Sequence, residues 1–147
     1  MDYQTVIIVE DAIQIVEAML QGPTGPQGPA GSAQAVNYVA ATNISGHQAF
    51  VLDASGQATP ADASTPGHQY VEAIAYTAAV AGASLQGVKD GQIEHLGWTF
   101  TPNQPVYLGL LGSITQTVPE AAVFVKVLGT AVSATRINLD FQPAIFL

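Results

Sequence analysis

Between residues 22 and 31 the chain reads Gly-Pro-Thr-Gly-Pro-Gln-Gly-Pro-Ala-Gly, and few stretches so short limit a fold so strongly. Gly22, Gly25, Gly28 and Gly31 recur at every third position, and Pro23, Pro26 and Pro29 each follow a glycine. That is the spacing of a collagen triple helix, in which three polyproline II chains wind together and only glycine fits at the crowded axis. Proline in the slot after glycine pre-sets φ and lowers the entropy lost on winding. A flexible Pro/Gly linker is the competing reading. Proline in the same slot of each triplet favours the collagen-like one. It predicts a homotrimer with Gly22, Gly25, Gly28 and Gly31 on the triple-helix axis.

Such a repeat cannot hold three chains by itself, because its few interchain hydrogen bonds oppose the backbone entropy of all three. A neighbouring part of the chain must therefore trimerise, leaving the repeat as a stalk about 30 Å long.

The 147 residues suffice for one ordinary domain and a small appendage. Hydrophobic residues make up 48% of the chain and charged residues only 10%, so the composition is not that of a disordered protein. So few charges point to a surface partly covered by other subunits or partners. Lys89, Lys126 and Arg136 are the only basic side chains, and the net charge is −8. Nucleic-acid binding needs clustered Lys and Arg, so no nucleic acid is expected as a partner, nor an anionic membrane surface. There is no cysteine, which excludes disulfides, thiolate metal sites and cysteine nucleophiles. Met1-Asp2-Tyr3-Gln4 offers neither a basic n-region nor a small-residue cleavage site, so no signal peptide is expected. No apolar run approaches the roughly 18 residues of a spanning helix, so no membrane insertion is expected.

Residues 1–21 form the first segment. Thr5–Val9 is β-branched and reads as a strand, with Ile13 and Ile15 flanking Gln14 as a second. A helix competes, since Ala12, Val16, Met19 and Leu20 fall at helical spacing behind a capping Asp11. Hairpin and helix both leave an apolar segment too short to bury itself. It packs on its own copies, or it anchors the trimer through Val6, Ile7, Ile8, Val9, Ile13, Ile15 and Val16.

Residues 32–147 are dense in strand signals: 36–40, 49–53, 70–76, 93–100, 106–110, 114–117, 123–128 and 136–141. Turn signals separate them at Ser55-Gly56, Pro66-Gly67, Asp90-Gly91, Pro102-Asn103 and Leu111-Gly112. This pattern predicts an all-β barrel or sandwich, a knob that forms the homotrimer. Residues 54–66, rich in Ala, Ser, Thr and Pro, read as an exposed loop. The C-terminal Phe141–Leu147 is apolar for a chain end, and burial in the trimer is expected.

Chemistry-bearing residues are sparse. His47, His68 and His95 form no chelating pair by spacing. His68 or His95 on a threefold axis would supply three ligands, though a solvated or hydrogen-bonded imidazole is the simpler expectation. Asp53, Asp62, Glu72, Asp90, Glu94, Glu120 and Asp140 include no pair that the sequence brings together for acid–base work. No nucleophile elbow or phosphate-cradling loop occurs. The chain reads as a non-enzyme without cofactors. Trp98, Tyr76, Tyr107 and Phe100 could make a sugar-stacking surface, but aromatics on strands more often serve a core or an interface.

Three stretches, Gly97–Gly109, Gly112–Pro119 and Val127–Ile137, resemble a C-terminal module of tailed-bacteriophage fibre and capsid-decoration proteins. A β-branched segment running into Gly-Pro-Gln-Gly-Pro is similar to short virion proteins with collagen-like stalks. The matching motifs are turn glycines, prolines and strand apolars, so no catalytic or ligand residue is carried over. The resemblance implies a trimer on the virion surface, bound to other virion proteins of capsid or tail. Residues 1–21 would be the foot, 22–31 the stalk and 32–147 the knob of a capsid decoration or head fibre. The alternative is a receptor-binding tail fibre whose knob contacts host-surface glycan or protein. The shortness of the chain and the few charges of its knob favour the first.

Overall fold

Residues 35–147 are described by a computed structural model, and they are all-β, with twelve short strands and no helix. The expected axial glycines, Gly22 to Gly31, and the expected anchor residues, Val6 to Val16, lie outside the described residues.

The first sheet comprises β1 (Ala35–Val39), β2 (Ala49–Leu52), β3 (Ala58–Pro60), β4 (Ala73–Ala75) and β5 (Ser84–Val88), in the order β1-β5-β4-β2-β3. The second comprises β6 (Gly91–Glu94), β7 (Pro105–Leu108), β8 (Ile114–Thr115), β10 (Val127–Ser133) and β11 (Arg136–Leu139), in the order β6-β11-β10-β7-β8. β9 (Phe124–Val125) pairs with β12 (Ile145–Phe146) as a separate ribbon. Both five-stranded sheets are antiparallel and open, so neither closes into a barrel.

One core lies between the sheets. Val51, Ile74 and Val88 of the first pack with Ile93, Val106, Leu108, Leu128, Ile137 and Leu139 of the second. Period-two alternation explains the choice of face: Val106 and Leu108 are buried while Tyr107 between them is half-exposed. In β10 a register shift between Val127 and Gly129 inserts a bulge, which lets Leu128 and Ala131, three apart, share the core. Gly129 is bare for a reason. A Cβ there would run into the Asn138 carbonyl of the paired strand.

The reverse face of the first sheet carries a second cluster, with Phe50, Ala73, Ala75 and Leu85 covered by Ala40, Ile44 and Tyr38. Tyr38 meets Phe50 edge to face at a centroid distance of 5.0 Å. A Cβ on Gly87 would lie 2.7 Å from the Phe50 ring, so the missing side chain makes room for the aromatic pair. Buried on both faces, the centre of this sheet uses alanine where a larger residue would not fit.

That double burial corrects two sequence expectations. Residues 54–66 are not simply an exposed loop: they contain β3, and Ala58, Ala61 and Ala63 are fully buried. The strand expected over 70–76 shrinks to Ala73–Ala75, with Tyr70 and Tyr76 exposed on either side. Ala61 and Ala63 line the seam where the Gly109–Ser113 turn docks. There Ala63 N donates to Gly109 O, Gly112 N to Ala61 O and Ala49 N to Gly112 O. Gly112, at φ +80°, is the one position in this seam that needs both a left-handed backbone and no side chain, because a Cβ would sit 2.9 Å from Ala49 O.

Candidate functional site

The densest grouping of chemically versatile side chains is an imidazole–aromatic cluster spanning the two sheets. His47 precedes β2 and is held by its own N–H to Ala75 O at 2.6 Å. His95 follows β6 and donates its N–H to Thr135 O at 2.9 Å. Their rings stack at 4.2 Å with an interplanar angle of 20°. Trp98 stands edge-on to both at 5.4 Å and leans on Phe100 at 5.3 Å. Trp98 and Phe100 are half-buried against the main core. Gly97 leaves space for the His95 ring, whose Nε2 would lie 2.9 Å from an added Cβ.

His47 Nε2–H donates to the Glu94 carbonyl oxygen at 3.1 Å, which fixes the tautomer because a carbonyl only accepts. Burial and the neighbouring His95 pull the His47 pKa below its ordinary value, against the opposing effect of that hydrogen bond. The stacked rings present faces to each other and converge on no common point. The arrangement clips the 40–48 loop to the edge of the second sheet.

This carries a pH prediction. His47 binds its proton more weakly when folded than the roughly 6.5 of an unfolded chain. The unfolded state therefore takes up more protons as pH falls from about 6.5 through the native pKa, and stability drops across that window. His47 has φ +66°, a conformation asparagine tolerates well, so His47→Asn removes the titration and keeps the backbone. Denaturation midpoints measured between about pH 7.5 and pH 5 should fall for the wild type and flatten for His47→Asn. Equal slopes would assign the acid sensitivity to another group. Trp98, the single tryptophan, makes the transition visible by fluorescence.

The carboxylates work as caps and clamps. Asp53 Oδ1 accepts from the N–H groups of Ser55 and Gln57 and closes the β2–β3 turn. Asp62 accepts from the Ser64 hydroxyl and N–H, and from Leu111 N. Burial pushes the Asp62 carboxyl up, but these hydrogen bonds and the nearby His68 outweigh it and hold the pKa below the ordinary value. Glu72 accepts from the Tyr38 hydroxyl at 2.9 Å and pairs with Lys89 at 2.9 Å. Burial, that hydrogen bond and the Glu72 charge push the Tyr38 phenol up to about 12. Glu94 accepts from Thr135 Oγ1 and Arg136 Nη2.

The two histidines considered for a threefold axis are engaged locally: His68 Nδ1 accepts from Asp62 N at 3.1 Å, and His95 is stacked on His47. Among the described residues no three His, Asp or Glu side chains gather as a metal site. Of the four aromatics considered for sugar stacking, only Trp98 and Phe100 meet. Tyr107 instead lines a groove of about 420 Å³ with Thr101, Gln104, Pro105, Gln116 and Thr117. The Gln116 amide ties that rim together, accepting from Thr101 N and donating to Thr101 O. A second groove, about 430 Å³, runs beside β1 and is lined by Asn37, Tyr38, Val39, Ser55, Gly56, Gln57 and Ser84. No charged side chain lines either groove.

Sequence reasoning missed the pairing of His47 with His95, since residues 48 positions apart are joined only by the packing of two sheets. It also missed Lys126, which is 8% exposed and donates to the Gln142 carbonyl, pinning the C-terminal segment. Burial lowers the Lys126 pKa. Phe141 and Ala144 pack on the core, whereas Ile145, Phe146 and Leu147 are exposed. Other exposed apolar side chains include Val36, Val39, Val80, Leu96 and Leu111.

No protein-family model matches the chain, and no curated protein matches it.

Proposed function

We propose that the protein is a structural component of a virion surface, a homotrimeric capsid decoration or head fibre. In this reading residues 1–21 are the foot, 22–31 a collagen-like stalk, and 32–147 a β knob that projects from the particle. The observation that carries it is the triplet register of Gly22, Gly25, Gly28 and Gly31, with proline after three of them, which fits the axis of a three-chain helix.

The all-β domain after the repeat supports the reading in two ways. Asp53, Asp62, Glu72 and Glu94 are spent on turns and clamps, as a scaffold would spend them. Its exposed apolar side chains, with so few charges around them, suit contact with further protein. Partners are thus other copies of the chain and other virion proteins.

A receptor-binding tail fibre is the second reading. The neutral groove beside Tyr107, rimmed by amides and hydroxyls, favours it, since such groups hydrogen-bond a host glycan. The two readings differ in where the protein sits. Electron microscopy of particles carrying a tagged copy should show the tag on the head. Tag density confined to the tail would replace the first reading with the second, and particles without the tag would remove both.

A further inference from the structure

We propose that β1, with the groove beside it, is the surface through which three copies of the chain meet, so that the occupant is a second copy of this chain. The inference rests on the homotrimer reading and adds to it the place of contact.

β1 is an edge strand. It pairs along all five residues with β5, and its other side pairs with no strand over these residues, the Ala40–Ala58 bridge lying just beyond its end. Open edges invite pairing, and proteins blunt them with charge, proline, brevity or a cover. The other edges of the two five-stranded sheets are blunted. β3 ends at Pro60 and is covered by the bridge from Ala40 to Ala58. β6 follows Asp90 and ends at Glu94, which is paired with Arg136. β8 is two residues long. By contrast Ala35-Val36-Asn37-Tyr38-Val39 has neither charge nor proline, and Val36 and Val39 are 44% and 41% exposed.

The strand is also held firmly. Tyr38 packs on Phe50, and its hydroxyl joins the Glu72–Lys89 pair. A surface ordered in advance loses little entropy on association.

Chain length supplies the occupant. Only Ser32, Ala33 and Gln34 separate Gly31 from β1, a reach of at most about 14 Å for an extended chain. In the trimer reading, each β1 therefore starts within that reach of its own chain's Gly31. Threefold contacts are head-to-tail, one surface meeting a different one on the next copy. The exposed Val36, which does not line the groove, provides one surface, and the neutral groove lined by Asn37, Val39, Ser55, Gln57 and Ser84 provides the other. Ile145, Phe146 and Leu147 are more exposed still, but no short stretch of chain joins them to the repeat.

The test uses the full chain. Val36→Lys with Val39→Lys places charge on an exposed edge where lysine is well tolerated, so the fold should persist, as circular dichroism can verify. Sedimentation should give a trimer for the wild type and at least a hundredfold weaker association for the double variant. Phe146→Lys, the control, should associate like the wild type. As a second measurement, hydrogen exchange across residues 35–39 should be slow in the wild-type trimer. A double variant as tightly trimeric as the wild type, or fast exchange throughout 35–39, would overturn the β1 contact while leaving the trimer standing. A monomeric wild type would overturn the trimer and the contact together.

Discussion

Replacing Phe50 with alanine is expected to cost about 3–5 kcal/mol, the range for emptying a large, fully enclosed aromatic site. Phe50 is 0% exposed, and it is the largest side chain of the cluster on the reverse face of the first sheet. The cavity cannot be refilled cheaply, because its neighbours are Ala73, Ala75 and the side-chain-free Gly87. Gly87→Ala should also destabilise the wild type, since the new methyl meets the Phe50 ring. In the Phe50→Ala background the clash with the ring disappears and only the 3.0 Å approach to Tyr38 remains, so the same change should cost clearly less. A double-mutant cycle in urea reads the coupling directly. Additive costs would mean that Gly87 is bare for some reason other than the ring opposite it.

Deleting residues 1–21 is expected to abolish attachment to the particle. The segment is apolar from Thr5 to Val9 and again at Ile13, Ile15 and Val16, with too little chain to cover that surface. At about 25 cal/mol per Å², burying half of it contributes several kcal/mol per chain before ordering costs. Three feet on one stalk would add avidity, because the second and third bind at high effective concentration. Loss of all three should therefore reduce occupancy by well over a hundredfold, since each 1.4 kcal/mol is about tenfold. Apolar attachment should also be nearly indifferent to salt. The check is to add truncated and full-length protein to particles lacking it and count bound copies. Full occupancy by the truncated chain would move the attachment surface to the knob and reverse the orientation.

The fold was legible where turn chemistry marked it. Gly56, Gly67, Gly91, Asn103 and Gly112, each within a turn signal, all adopt positive φ. β-branched and aromatic strands such as Val36–Val39, Phe50–Leu52 and Val106–Leu108 followed from composition alone. Alanine hid the rest. Ala58, Ala73 and Ala75 are core residues of a sheet buried on both faces, and Ala61 and Ala63 are core residues of the seam beside it, yet alanine gives no strand signal. β5 was missed for a related reason: Gly87 interrupts its pattern in order to receive Phe50. The candidate site was less legible still. The His47–His95 stack and the burial of Lys126 are products of long-range packing, with no local spacing to announce them.

The claim on which the account stands is that three chains form one molecule. Sedimentation equilibrium of the full chain measures it without reference to shape. Three times the 15.2 kDa chain mass, constant over a hundredfold dilution, is the expected result. A mass of one chain at every concentration would contradict it.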